Sequence, residues 1–216
     1  MKCEKDVMHL YAVTDRAWVG EQTLMEQVED ALKGGATCIQ LREKELEDEK
    51  FLEEAMEMKG LCAKYQVPFI INDNVEIAVK CKADGIHVGQ SDMEAGRVRD
   101  VVGENMIVGV SAQTVEQAIA AEKAGADYLG VGAVFNTTTK LDASEVSLET
   151  LKEICETVSV PVVAIGGISK SNMMELAGSG VDGVALVSAI FASKDIENEC
   201  KELRALSENL TCKEHF

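Results

Sequence analysis

Gln40, Arg42 and Lys44 occupy alternate positions after the apolar run 36–39, so an extended backbone would turn all three to one side. Arginine offers a planar fork to phosphate oxygens and lysine a compact point charge. The pair suits a phosphate or diphosphate, although the same residues could simply form the solvated start of a helix. Asn72 and Asp73 follow the run 68–71, and Gln90, Ser91 and Asp92 follow the run 85–88. Carboxylates at neighbouring strand ends, with coordination places left open, suit Mg²⁺ shared between protein, water and a diphosphate. Asp73 and Asp92 also precede helical patterns, where either could serve as an N-cap. No His/Cys cluster points to a softer metal.

Other polar groups follow the same rule. Ser111 and Gln113 come after the run 106–110 and could bind a ligand or cap the helix that begins near Thr114. Thr137, Thr138, Thr139 and Lys140 put three hydroxyls and an ammonium after the run 128–131, a composition that fits phosphate binding or a polar surface loop. Gly166 and Gly167 with Ser169, and later Val187 and Ser188, suit backbone amides held close to a phosphate, or tight turns alone. His87 lies within an apolar run and reads as an inward-packed histidine; His9 reads similarly. Arg16 and Trp18 lie where a loop could line a site mouth.

Such positioning requires strands that all point the same way. Apolar runs fall near 8–13, 36–41, 68–71, 84–88, 106–110, 127–131, 161–165 and 182–186. They are apolar throughout rather than alternating, as strands buried on both faces should be. Between them the period lengthens. Leu46, Phe51, Leu52, Ala55, Met58, Leu61, Cys62 and Tyr65 recur mostly at three- and four-residue steps, with acids in the first turns, as in a helix. Thr114 with Glu116 and Gln117 approximates a capping signal. Gly34, Gly35, Gly125, Gly178 and Gly180 stand where helices should stop. The joints Gly35-Ala36-Thr37, Ala83-Asp84-Gly85, Gly125-Ala126-Asp127 and Gly180-Val181-Asp182 resemble one another and suggest a reused βα unit. Eight strands with helical crossovers predict a (β/α)₈ barrel with short loops, as a single domain over 1–216. A doubly wound sheet is the alternative, but Thr14-Asp15-Arg16 stands where a phosphate-binding glycine motif would be expected.

Bulk properties narrow the function. The chain has 216 residues, 46% hydrophobic, with a net charge of −17. That charge repels nucleic acid, and it means that an anionic ligand needs its own cations at the site. No apolar run approaches the roughly 18 residues of a membrane span. The start, Met1-Lys2-Cys3-Glu4-Lys5-Asp6, lacks an apolar signal core, so a soluble cytoplasmic protein is expected. Seven scattered cysteines without a CxxC pair indicate neither a disulfide framework nor a zinc site. Cys38 and Cys155 read as small buried hydrophobes.

Taken together, the clusters resemble the thiamine-phosphate synthase family. The likeness covers 8–191. It rests on Gln40-Leu41-Arg42-Glu43-Lys44, Ile71-Asn72-Asp73, the stretch Asp84 to Asp92, Gly109-Val110-Ser111, Thr137 to Lys140, and Ala164-Ile165-Gly166-Gly167-Ile168. Each is weak alone; six in order, each at a strand end, are specific.

The resemblance implies a transferase on a TIM barrel. Its substrates would be 4-amino-2-methyl-5-pyrimidinylmethyl diphosphate and 4-methyl-5-(2-hydroxyethyl)thiazole phosphate, and its products thiamine phosphate and diphosphate. It further implies that Gln40, Leu41, Arg42, Glu43, Lys44, Asn72, Ser111 and Lys140 bind the pyrimidine diphosphate. Thr137, Thr138, Thr139, Gly167, Val187 and Ser188 would bind the thiazole phosphate, Asp73 and Asp92 would hold Mg²⁺, and Arg42, Lys44 and Lys140 would act in catalysis. Partners are then small molecules, with neither nucleic acid nor membrane, and a homo-oligomer is compatible with the chain. Asn136 stands where the family commonly has proline, and Gln113 where histidine is common. Rival readings are a thiazole tautomerase on the same barrel and a non-catalytic sensor of thiamine precursors.

Overall fold

The eight apolar runs become eight strands: β1 Leu10–Val13, β2 Cys38–Leu41, β3 Phe69–Asn72, β4 Gly85–Val88, β5 Ile107–Ala112, β6 Tyr128–Val131, β7 Val162–Ile165 and β8 Gly183–Leu186. In the computed structural model, which describes residues 3–89, 95–136 and 145–212, they pair in parallel in chain order. The β1–β8 pairing closes the barrel. The helices are α1 Leu24–Lys33, α2 Asp48–Lys64, α3 Val75–Lys80, α4 Ala95–Val102, α5 Val115–Lys123 and α6 Leu148–Thr157, followed by α7 Ser188–Phe191 and α8 Ile196–Thr211. Between β7 and β8 the crossover carries a 3-10 turn, Met173–Leu176. This is the (β/α)₈ barrel expected from the alternation of periods.

Strand parity sorts the core into two layers. Leu10, Ala12, Ile39, Leu41, Ile71, Ile86, Val108 and Leu129 pack outward against the helices. Tyr11, Val13, Cys38, Ile70, Ile107, Tyr128, Val163 and Ala185 fill the interior. Two glycines make room there. A Cβ on Gly109 would collide with the Tyr128 ring, and one on Gly130 would come within 3.0 Å of His87 Cε1. Large polar rings therefore sit inside the barrel because their neighbours have no side chain.

Local signals start and stop the helices. Thr23 and Glu26 form a capping box on α1, a feature worth about 1 kcal/mol. Thr114 Oγ1 accepts from Gln117 N and starts α5, as its sequence position suggested. Gly35 and Gly125, expected to end helices, adopt φ of +96° and +93°.

The similar helix-to-strand joints share one task. Thr37, Asp84, Asp127 and Asp182 stand just before β2, β4, β6 and β8. Each side chain accepts a backbone N–H at the start of the preceding strand: Leu10 at 2.8 Å, Phe69 at 2.8 Å, Val108 at 2.9 Å and Val162 at 3.0 Å. The three aspartates also pair with cations, Lys59 at 2.5 Å, Arg99 at 2.5 Å and Lys5 at 2.6 Å. The N-terminal end of the barrel is thus stitched every second strand by side-chain-to-backbone hydrogen bonds, and the three that aspartates accept are charge-assisted and worth roughly 1.5–3 kcal/mol each.

Beyond the stretch 8–191 that carries the family likeness, the acidic chain forms α8. Its Ile196, Cys200, Leu203 and Ser207 are buried. They recur at three- and four-residue steps, the mark of an amphipathic helix. α8 packs beside α1, β1 and β8 and covers the seam where the barrel closes.

Candidate active site at the C-terminal end of the barrel

Gln40 is the last interior residue of β2 and is 5% exposed. Its Nε2 donates to Tyr11 Oη at 2.7 Å. Leu41, of opposite parity, is buried among the outer apolar residues, so only its backbone is available to a ligand. Arg42 follows where the strand ends. Its amide donates to Thr14 Oγ1 at 3.0 Å, and its guanidinium lies 3.6 Å from Asp15 Oδ2.

Glu43 and Arg16 continue this lacing of the loops after β1 and β2. Arg16 Nε donates to Glu43 Oε2 at 2.8 Å, and Arg16 Nη2 donates to both oxygens of Glu54 at 2.6–2.7 Å. Burial pushes the Glu43 carboxyl above its ordinary range against the opposing pull of Arg16. Its other oxygen, Oε1, is buried without a hydrogen-bond partner among the described residues. Arg42 therefore projects from a backbone fixed on both sides.

Lys44, Asn72 and Asp73 come together. Lys44 Nζ donates to Asp73 Oδ2 at 3.2 Å and Asn72 Nδ2 to the same oxygen at 2.6 Å. Among the described residues, no hydrogen bond reaches Oδ1. Asp73 holds φ of +62°, a left-handed conformation uncommon for a residue with a side chain. Its amide donates to His87 O at 2.8 Å, which anchors the turn to β4. The helix-cap alternative for Asp73 does not apply: Asn74 is the N-cap of α3, with Oδ1 accepting from Ile77 N at 3.0 Å. An open cavity of about 630 Å³ runs from Lys44, Asn72 and Asp73 across the starts of α2 and α3.

Ser111, the last interior residue of β5, also escapes the capping role, because Thr114 fills it. Its Oγ lies 3.0 Å from His87 Nε2, while His87 Nδ1 lies 2.9 Å from Tyr128 Oη. Tyr128 Oη is 2.8 Å from Tyr11 Oη. His87 is inward-packed, as expected, and ties Ser111 to the barrel interior. Gln113 donates to Gly132 O at 3.4 Å, and its amide donates to Gln117 Oε1 at 2.8 Å.

After β7, Gly166 and Gly167 adopt φ of +99° and +66°. A Cβ on Gly167 would lie 2.8 Å from Phe135, because the segment after β6 runs against this turn, with Phe135 N donating to Gly166 O at 3.1 Å. Gly167 O accepts from Asn172 Nδ2 at 2.9 Å. Val187 is half-buried and Ser188 exposed at the start of α7, beyond the end of neighbouring β8. Gln90, Ser91, Asp92, Thr137, Thr138, Thr139 and Lys140 lie outside the described residues.

All described candidates thus stand at one end of the barrel, where the fold commonly carries its chemistry. Sequence reasoning missed Tyr11, Tyr128 and Asp15. Tyr11 and Tyr128 lie inside apolar runs, and only their parity with Gln40, His87 and Ser111 signals an inward direction. The available donors are hard oxygens: Lys44 and Asn72 hold Asp73 Oδ2 by hydrogen bonds and leave the carboxylate, not the ammonium, to face a cation. Among the described residues no group of three or more His, Cys, Asp or Glu gathers to hold a metal alone. Such a set fits Mg²⁺, which usually completes its coordination with water and substrate phosphates, and not a soft cation. Burial pushes Cys155 up to about 12 and Cys38 well above its ordinary value, leaving little thiolate at neutral pH.

Comparison with known proteins points the same way. A family model described as thiamine monophosphate synthase matches residues 10–190. The thiamine-phosphate synthase of Ruminiclostridium cellulolyticum is 50% identical over 194 residues, covering 90% of this chain and 92% of that protein. That of Clostridium tetani is 47% identical over 194 residues, covering 90% and 93%. Among solved structures, thiamine phosphate pyrophosphorylase from Pyrococcus furiosus aligns with a TM-score of 0.88 at 39% identity, over 95% of this chain and 98% of that one.

Proposed function

This chain belongs to the thiamine monophosphate synthase family, and from that premise we propose that it is the transferase that joins the two halves of thiamine phosphate. It condenses 4-amino-2-methyl-5-pyrimidinylmethyl diphosphate with 4-methyl-5-(2-hydroxyethyl)thiazole phosphate and releases diphosphate. The whole of 1–216 acts as one barrel domain, working in the cytoplasm, where its unpaired cysteines suit a reducing medium.

The observation that carries this reading is the contact of Lys44, Asn72 and Asp73 beside Arg42 at one barrel end. In a chain of net charge −17, such cations offer a trianionic ligand a local well in a repulsive field. Arg42 and Lys44, with Lys140, hold the diphosphate and stabilise the charge that grows on it as the C–O bond breaks. Gln40, Asn72 and Ser111 orient the pyrimidine half with the backbone of Leu41 and Glu43. Thr137, Thr138, Thr139, Gly167, Val187 and Ser188 hold the thiazole phosphate, so that the thiazole nitrogen faces the methylene carbon. Asp73 and Asp92 would hold Mg²⁺, which supplies further neutralisation of the leaving group. The pyrimidine amino group feeds electrons towards the methylene carbon, so departure can run ahead of attack, and no protein nucleophile is required.

The test is direct. Purified protein mixed with both precursors and Mg²⁺ should yield thiamine phosphate and one equivalent of diphosphate. No product at saturating substrates would overturn the reading. A tautomerase would work without Mg²⁺ and has no use for the Arg42–Lys44 pair, and a sensor would show no turnover.

A further inference from the structure

Five polar side chains from five different strands form one continuous line across the barrel interior. Gln40 Nε2 reaches Tyr11 Oη at 2.7 Å, and Tyr11 Oη reaches Tyr128 Oη at 2.8 Å. Tyr128 Oη reaches His87 Nδ1 at 2.9 Å, and His87 Nε2 reaches Ser111 Oγ at 3.0 Å. The two tyrosine rings also meet edge-on, with centroids 5.9 Å apart. The line begins and ends on residues assigned above to the same substrate. A purely structural interior would not need it, since apolar side chains could fill this space without satisfying five polar groups.

A hydroxyl has one proton, so with a neutral imidazole such a line can be polarised in only two ways. Gln40 uses an amide N–H on Tyr11. Tyr11 then donates to Tyr128, and Tyr128 donates to His87 Nδ1. His87 is consequently the neutral tautomer with its proton on Nε2, and it donates to Ser111 Oγ. Burial holds both tyrosines well above their ordinary pKa, so each remains a donor. At the two ends, Gln40 keeps its carbonyl oxygen as the acceptor it can offer a ligand, and Ser111, already accepting from His87, directs its own proton elsewhere. The opposite polarity would turn the Gln40 amide round and commit the Ser111 proton to His87.

We propose that Tyr11, Tyr128 and His87 are positioning residues that lock this polarity, so that Gln40 accepts from the exocyclic amino group of the pyrimidine while Ser111 donates to its diphosphate. The line thereby selects an aminopyrimidine over its 4-oxo counterpart, whose carbonyl would face the Gln40 carbonyl. This specificity rests on the condensation proposed above; the tautomer of His87 does not.

Two measurements separate them. In ¹⁵N spectra of the intact protein, His87 should show the neutral Nε2–H tautomer; an Nδ1–H tautomer or an imidazolium would overturn the proposal whatever the activity. In kinetics, Tyr128→Phe keeps the ring that Gly109 accommodates and removes only the hydroxyl. It should lower kcat/KM for the aminopyrimidine diphosphate about 10- to 100-fold while KM for the thiazole phosphate changes less than about twofold, and it should narrow the preference over the 4-oxo analogue. Tyr11→Phe should act alike, and the double variant should be little worse than either, because one line is broken once. Equal losses towards both substrates with the preference intact would overturn the proposal. Should Tyr128→Phe fail to fold, Tyr11→Phe carries the same comparison. A wild-type protein that makes no thiamine phosphate refutes the condensation and leaves the tautomer measurement standing.

Discussion

The two ends of the barrel hold similar residues and use them in opposite ways. At the N-terminal end, Asp127 accepts from Arg99 and from the Val108 amide, while Arg99 also donates to the carbonyls of Gly103, Met106 and Gly125. The Arg99 and Asp127 side chains are 14% and 21% exposed. Arg99 and Asp127 are matched to each other and to backbone groups, so the pair contributes stability and offers little to a ligand. At the C-terminal end, Arg42 lies 3.6 Å from Asp15 and Lys44 lies 3.2 Å from Asp73, with the Lys44 side chain 56% exposed. Longer, wetter pairs are cheap to exchange for a phosphate. The lesson is that saturation within the chain, rather than residue type, separates a structural charge from a functional one.

The sharpest way to break that contrast is Asp73→Asn, which keeps a residue tolerant of φ > 0 and removes only the charge. Condensation should fall about 10²- to 10³-fold while the thermal midpoint moves by no more than about 2 °C. A loss below fivefold, read from initial rates at saturating Mg²⁺, would deny Asp73 its metal role. The reverse pattern is expected for Asp127→Ala. It leaves Arg99 and the Val108 amide without their acceptor and should cost about 2–3 kcal/mol in denaturant unfolding, with kcat at 20 °C within about twofold of the parent. Arg16→Ala probes the border between the two behaviours, since Arg16 is structural yet sits at the functional end. It should raise KM for the pyrimidine diphosphate about 5- to 10-fold by releasing Glu43 and the loop that carries Arg42, while urea midpoints shift little. The smallest effect belongs to Thr37→Val. Loss of one acceptor for the Leu10 amide should cost about 1 kcal/mol and leave both Michaelis constants unchanged; a change in either would show that the two ends are coupled.

Much of the molecule was legible in advance because its signals are local. The eight apolar runs are strands because side chains buried on both faces leave no polar alternation. The likeness of the joints at Thr37, Asp84, Asp127 and Asp182 was visible, but its meaning, a side chain capping the neighbouring strand, required the closed sheet. The choice between helix cap and functional group at Asp73 and Ser111 was decided by their neighbours: Asn74 and Thr114 take the caps, so neither of the other two caps a helix. The family likeness stops at 191, although Ile196, Cys200 and Leu203 trace a helical stripe among the acids of the tail.

The sequence by itself determined the order of strands and helices, the end of each strand at which polar residues gather, and the cations that a strongly negative chain must keep for an anionic substrate. These follow from spacing along the backbone, which folding does not alter. Only the tertiary structure decided which polar groups meet. Tyr11 and Tyr128 are separated by 117 positions yet share a hydrogen bond, and Gln40 reaches Ser111 through them and His87. Closing the barrel brings strands remote in sequence to facing walls, and hydrogen bonding acts over about 3 Å of space regardless of the length of chain between its partners.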